Sequence, residues 1–136
     1  MRTLQYMLCL VVSSVSLASF AKDEIKCNDT GTQQELEACA RDDFNKANKE
    51  LNRTYQALLK KEADDPLFVS KLRVAQKAWL TFLEADLDAQ FACPKEESKL
   101  ICWDSMYPMS YLSRKAELTR ERTKHLERLL KEGHGE

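Results

Sequence analysis

The side chains able to do chemistry are few, and their spacing suits binding better than catalysis. His125 and His134 are the only histidines, one late in a helical pattern and one in the tail. A catalytic base needs a nucleophile beside it and a third group to orient it. No Ser-His-Asp, Cys-His or metal-hydrolase spacing occurs, and three glycines leave no loop to cradle a phosphate. Asp42 and Asp43, like Glu84 and Asp86, pair carboxylates only on helix faces, where charge is ordinarily solvated. No enzyme and no cofactor are expected.

Cys27, Cys39, Cys93 and Cys102 are the second group with chemistry to offer. Their C-x11-C and C-x8-C spacings are not those of zinc ligands; the fifth cysteine, Cys9, lies in the leader described below, and the even number left in a secreted chain implies two disulfides and no metal site. Cys27–Cys39 and Cys93–Cys102 are favoured, since each pair is close in sequence and flanks a helix end. The rival, Cys39–Cys93 with Cys27–Cys102, stays open at the level of sequence.

The third group is a segment, PKEESKLICWDSMYP over residues 94–108. Within five positions it sets Trp103, Asp104, Ser105, Met106 and Tyr107. Large apolar groups on a loop clamped by Cys93–Cys102 suit recognition of a protein partner; the bland alternative is that Trp103 and Tyr107 close the open end of the fold. Trp103, Asp104, Ser105 and Tyr107 are the candidate partner-binding residues. The polar residues Asn52, Gln76, Thr119 and Arg122, with Asn48, point inward in the helical pattern. They read as an interhelical network fixing register, because a buried amide without a partner costs several kcal/mol.

Helices must position these groups. From Thr32, apolar residues recur at Leu36, Ala40, Phe44, Ala47, Leu51, Tyr55 and Leu58, one face of a helix, and Thr32 with Glu35 forms a capping box. Asp65-Pro66 starts a second helix, whose inward residues read as Phe68, Leu72, Ala75, Trp79, Phe82 and Leu83. Its pairing with the first places Asn52 opposite Gln76. Cys93-Pro94 stops it. Leu112, Ala116, Thr119, Thr123, Leu126 and Leu130 mark a third, and the tail after Gly133 reads as frayed. The expected fold is all-α: a three-helix, up-down-up antiparallel bundle with two disulfides and helices at about 32–61, 66–91 and 108–131.

Residues 1–21 read as a signal peptide: Arg2, an apolar run from Tyr6 to Val12, and small residues at Ser19 and Ala21 before the cleavage point. The run is shorter than the roughly 20 residues that span a bilayer. The expected product is one domain over 22–136, periplasmic or secreted and not inserted in a membrane. Removing 1–21 leaves 115 of 136 residues, with 20 Lys and Arg against 22 Asp and Glu. That balance excludes a nucleic-acid binder, which carries a basic stripe.

Ordered blocks across most of the chain, TQQELEACA (32–40), LNRTYQALL (51–59), LRVAQKAWLTF (72–82) and ELTRERTKHLERL (117–129), resemble the LprI-type lysozyme inhibitor family. Matching positions are Thr32, Gln33, Glu35, Cys39, Leu51, Asn52, Tyr55, Gln76, Trp79, Leu118, Thr119 and Arg122. The chain differs from many relatives in carrying its last two cysteines at the start of the 94–108 loop and within it, as Cys93 and Cys102. The resemblance implies a small secreted helical domain that binds and inhibits a lysozyme-type muramidase. The alternative is a non-inhibitory cell-envelope module that binds another protein.

Overall fold

The computed structural model describes residues 25–134 apart from Glu97; the expected signal peptide lies outside the described residues. Three long helices dominate: α1 (Gln33–Lys61), α2 (Pro66–Gln90) and, after the short α3 (Lys99–Trp103), α4 (Tyr107–Glu132). Among the described residues there is no strand. No described helix is long and apolar enough to cross a membrane.

Local chemistry sets the helix ends. The Thr32 backbone N–H donates to Glu35 Oε2 at 2.7 Å, and the Glu35 N–H donates back to Thr32 Oγ1 at 3.4 Å. These hydrogen bonds, from Thr32 first and then Asn28, hold the Glu35 carboxyl below its usual range. Asp65 accepts from the Phe68 N–H at 2.9 Å, with Pro66 in the first turn of α2. The α2 C-terminus is closed by Lys99, whose Nζ donates to the Phe91 carbonyl. That places a cation at the negative end of the helix dipole.

α1 and α4 run parallel. Gln33 at the start of α1 donates to the Ser105 carbonyl, a sequence separation of 72, and Lys61 at its end donates to the Leu130 carbonyl, a separation of 69. Carried along both helices, the first of these offsets would set Ala40 level with Leu112, Phe44 with Ala116, Ala47 with Thr119, Leu51 with Thr123, Thr54 with Leu126, and Leu58 with Leu130. Four of these pairs set a large side chain against a small one and Ala47 with Thr119 sets two small ones together, so the helices can approach closely. α2 runs antiparallel to both and stands further off. Its Leu72 joins Leu51, Leu58 and Leu126 in one core cluster, and its Leu83, Leu87 and the adjoining Phe91 join Leu118 in a second. Trp79 packs against both.

The inward face of α2 is rotated from the one its sequence suggests. Leu72, Gln76, Leu83 and Leu87 are buried, whereas Ala75 is exposed and Phe82 is 58% exposed. The helix is apolar on both sides, so periodicity alone could not choose between them. On α1 the seam keeps a 3.5-residue spacing, which buries Thr54 and leaves Tyr55 half-buried. The tail is held as far as His134, whose ring stacks on Phe68 with centroids 4.0 Å apart. Its Nε2 lies 3.4 Å from Glu62 and 3.5 Å from Asp65.

Both disulfides join the sequence-near partners. Cys27–Cys39 spans a Cα–Cα distance of 4.4 Å and ties the N-terminal arm to the first turns of α1. Cys93–Cys102 spans 6.0 Å and ties the end of α2 to α3.

Candidate recognition loop

Residues 94–108 are more ordered than their sequence suggests. Pro94–Glu96 forms a 3₁₀ turn, α3 follows, and Asp104–Met106 forms a second 3₁₀ turn leading straight into α4. Cys93–Cys102 closes this excursion, and Phe91, 7% exposed, anchors it. Three aromatic rings gather on Phe91: Trp103 edge-on at 5.2 Å, Tyr107 edge-on at 5.6 Å, and Tyr111 tilted at 5.8 Å. Such pairs contribute about 0.5–1.5 kcal/mol each beyond their buried area.

The four candidate residues divide between two environments. Trp103 is 40% exposed, and Asp104 and Ser105 are exposed beside it. Tyr107 is half-buried in the aromatic cluster. Asp104 has φ 59° and ψ −170°, a backbone region favoured by glycine. Its Oδ1 accepts from the Ser105 N–H at 2.6 Å, and the Ser105 carbonyl accepts from Gln33 at 3.4 Å. The reversal at Asp104 is thereby braced on the start of α1. Conformations of this kind cost about 1–3 kcal/mol and cluster at binding and catalytic sites.

Leu100 and Ile101, the most exposed of the tip's large apolar residues, do not stand out in the sequence. They are 60% and 71% exposed, and with Trp103 and Met106 (43%) they form an apolar tip at the cysteine-bearing end of the bundle. The signal was present in KLICW: two aliphatic residues in a clamped segment of five, too short to bury both.

A polar layer links α2 and α4 below the tip. Glu84 accepts from Lys115 at 2.7 Å and from the Tyr111 hydroxyl at 3.1 Å. Lys115 holds the Glu84 carboxyl below its usual range, while burial, with Glu84 beside it, raises Tyr111 to about 12. Of the expected interhelical network, the structure joins Gln76 and Arg122, with Arg122 Nε donating to Gln76 Oε1 at 3.0 Å. Thr119 is buried but donates within its own helix, to the Lys115 carbonyl at 2.7 Å. Asn52 and Asn48 are exposed and take no part. The α1 surface that meets its neighbours is the Leu51–Thr54–Leu58 stripe, which turns both amides outward.

A family profile described as "Lysozyme inhibitor LprI" matches residues 25–126, which takes in both disulfides, the tip and most of α4. The uncharacterized protein R02472 of Rhizobium meliloti (strain 1021) is 31% identical over 141 residues, spanning 96% of each chain. No solved structure matches. The length of the family match and the identity with a full-length relative together show that the chain belongs to the LprI lysozyme-inhibitor family.

Proposed function

We propose that the protein acts in the periplasm or outside the cell, after removal of residues 1–21, and that it binds and inhibits a lysozyme-type muramidase. The observation that carries this reading is the apolar tip of Leu100, Ile101, Trp103 and Met106, held out on a disulfide-closed turn. A glycosidase of this class works through two carboxylates in a cleft, and a rigid apolar projection can fill such a cleft and exclude substrate. The disulfide and the Phe91 anchor lower the cost of ordering the tip on binding. Trp103 offers a ring for a sugar subsite, and Asp104 a carboxylate for a cationic rim. The family's name supplies the class of target.

Titration of the purified protein into cell-wall lysis assays with several lysozyme classes tests the reading. Inhibition is expected with at least one class. The double substitution Ile101→Glu with Trp103→Ala should weaken it at least tenfold, about 1.4 kcal/mol, with unchanged helical content. Absence of inhibition at micromolar protein for every class would overturn the reading and favour a non-inhibitory envelope module using the same tip.

A further inference from the structure

α2 carries a second apolar surface, on the side facing away from α1 and α4. Leu67 (68% exposed), Val74 (65%) and Phe82 (58%) share it with the exposed alanines Ala75, Ala78, Ala85 and Ala89. Positions 67, 71, 74, 78, 82, 85 and 89 keep the alternating three- and four-residue spacing of a helix-packing seam. Lys71 is the only charged residue among them. A face of this length and composition is unusual on an isolated surface helix.

The seam is nearly palindromic about Ala78. In a two-fold antiparallel pairing, Ala78 meets Ala78 of the second copy, Val74 meets Phe82, and Leu67 meets Ala89. Small residues then lie at the crossing and larger ones fill the gaps beside them. Charge fixes the direction. Lys71 in the seam and Lys77 beside it are the cations of the first half, and Asp88 with the half-buried Asp86, which accepts from Gln90, are the anions of the second, whereas Glu84 is turned to Lys115 of α4. Parallel pairing would stack like charges, whereas antiparallel pairing brings Lys71 to Asp86 of the second copy and opposes the helix dipoles. A patch that complements itself under a two-fold rotation is what an isologous dimer requires.

We propose that α2 is a self-recognition face and that the protein forms a two-fold homodimer by antiparallel packing of α2 on α2. A single helix from each chain makes a small interface beside the roughly 1,200–2,000 Å² buried by stable ones, so association belongs in the micromolar range or weaker. The two apolar tips then point in opposite directions, which leaves both free.

Sedimentation velocity of the purified, disulfide-bonded protein from the micromolar range upward tests this. A reversible monomer–dimer equilibrium is expected. Phe82→Glu should raise its dissociation constant about a hundredfold, since the charge enters twice at a central position, with unchanged helical content because Phe82 is outside the core. Lys71→Glu and Asp86→Lys should each weaken the dimer, and their combination should restore it. Orientation is read by oxidation: Ala78→Cys should link two chains readily, and Leu67→Cys should not. A monomer throughout the range, a dimer indifferent to Phe82→Glu, or ready linkage through Leu67→Cys would overturn the proposal. So would association only with another protein or with the leader segment.

Discussion

Gln76 accepts a hydrogen bond from Arg122 Nε at 3.0 Å, and the same guanidinium lies 6.0 Å from the centre of the Trp79 ring. Gln76 is 9% exposed, and burial pushes the Arg122 guanidinium below its usual value. This charged group is therefore held by one amide and one aromatic face. Gln76→Ala should destabilise by about 1–3 kcal/mol, the cost of leaving a buried polar partner unsatisfied. Gln76→Leu combined with Arg122→Met should be close to neutral, because an apolar pair of similar volume replaces both. Urea denaturation of the three variants separates these outcomes.

The parallel seam gives a second expectation. Leu126 is fully buried between α1 and α2, so Leu126→Ala should cost about 2–5 kcal/mol. Ala47 is 4% exposed, a small buried residue on the α1 seam. Ala47→Leu should therefore cost about 1–3 kcal/mol by overpacking. Leu80→Ala, at a position 49% exposed, should stay within about 0.5 kcal/mol. Thermal or urea midpoints check all three.

Most of the fold was legible because short local signals settle it: the Thr32–Glu35 box, Asp65-Pro66, Cys93-Pro94 and Gly133 mark the long helices. The faces were harder. Asn52 and Phe82 both sit on apolar-periodic helices, and a shift of one position turns a residue from core to solvent. On α2, aliphatic residues on both sides removed the contrast that would have decided it. At the tip, Trp103 and Asp104 stood out by type, whereas Leu100 and Ile101 did not, since aliphatic residues in a helical protein read as core.

Tyr111 provides a pH signature. Its pKa of about 12 in the folded protein stands above the ordinary value near 10, so the neutral phenol is the form that folding favours. The stabilisation is complete below the unfolded value and is lost as pH rises through 12. Glu84 acts at the other limit: its lowered pKa gives stability above the ordinary carboxylate range that fades as pH falls through the lowered value. Tyr111→Phe should flatten the alkaline decline of the denaturation midpoint and leave the acid side nearly unchanged.

Asp104 makes the tip sensitive to glycine. With φ at 59°, Asp104→Gly should relieve strain of about 1–3 kcal/mol, offset by the lost hydrogen bond to the Ser105 N–H and the added entropy of the unfolded chain, and so leave the midpoint within about 1 kcal/mol of the parent. Asp104→Ala loses the same hydrogen bond and keeps the strain, so its midpoint should fall clearly below that of Asp104→Gly. A thermal melt of both variants decides the order.

Reductant should add four mass units to the intact protein, one for each cysteine of the two disulfides, and no free thiol should be detected beforehand in the chain lacking residues 1–21. Peptide mapping should recover Cys27 with Cys39 and Cys93 with Cys102. Cys39 linked to Cys93 would contradict the structure.

Because α1 and α4 lie side by side in the same direction, the tightest interface in the molecule joins segments about as far apart in sequence as the fold allows. The α1–α2 hairpin can assemble from neighbours, but the Leu58–Leu126 core closes only when the last helix returns across the whole of α2 and the clamped tip. Contacts of such long range slow the search for the native state. Refolding should therefore be slower than in a simple helical hairpin, and substitutions along the Ala47–Thr119 seam should change the refolding rate more than those on the outer face of α2. Until α4 is present, the first two helices are left with one apolar side uncovered.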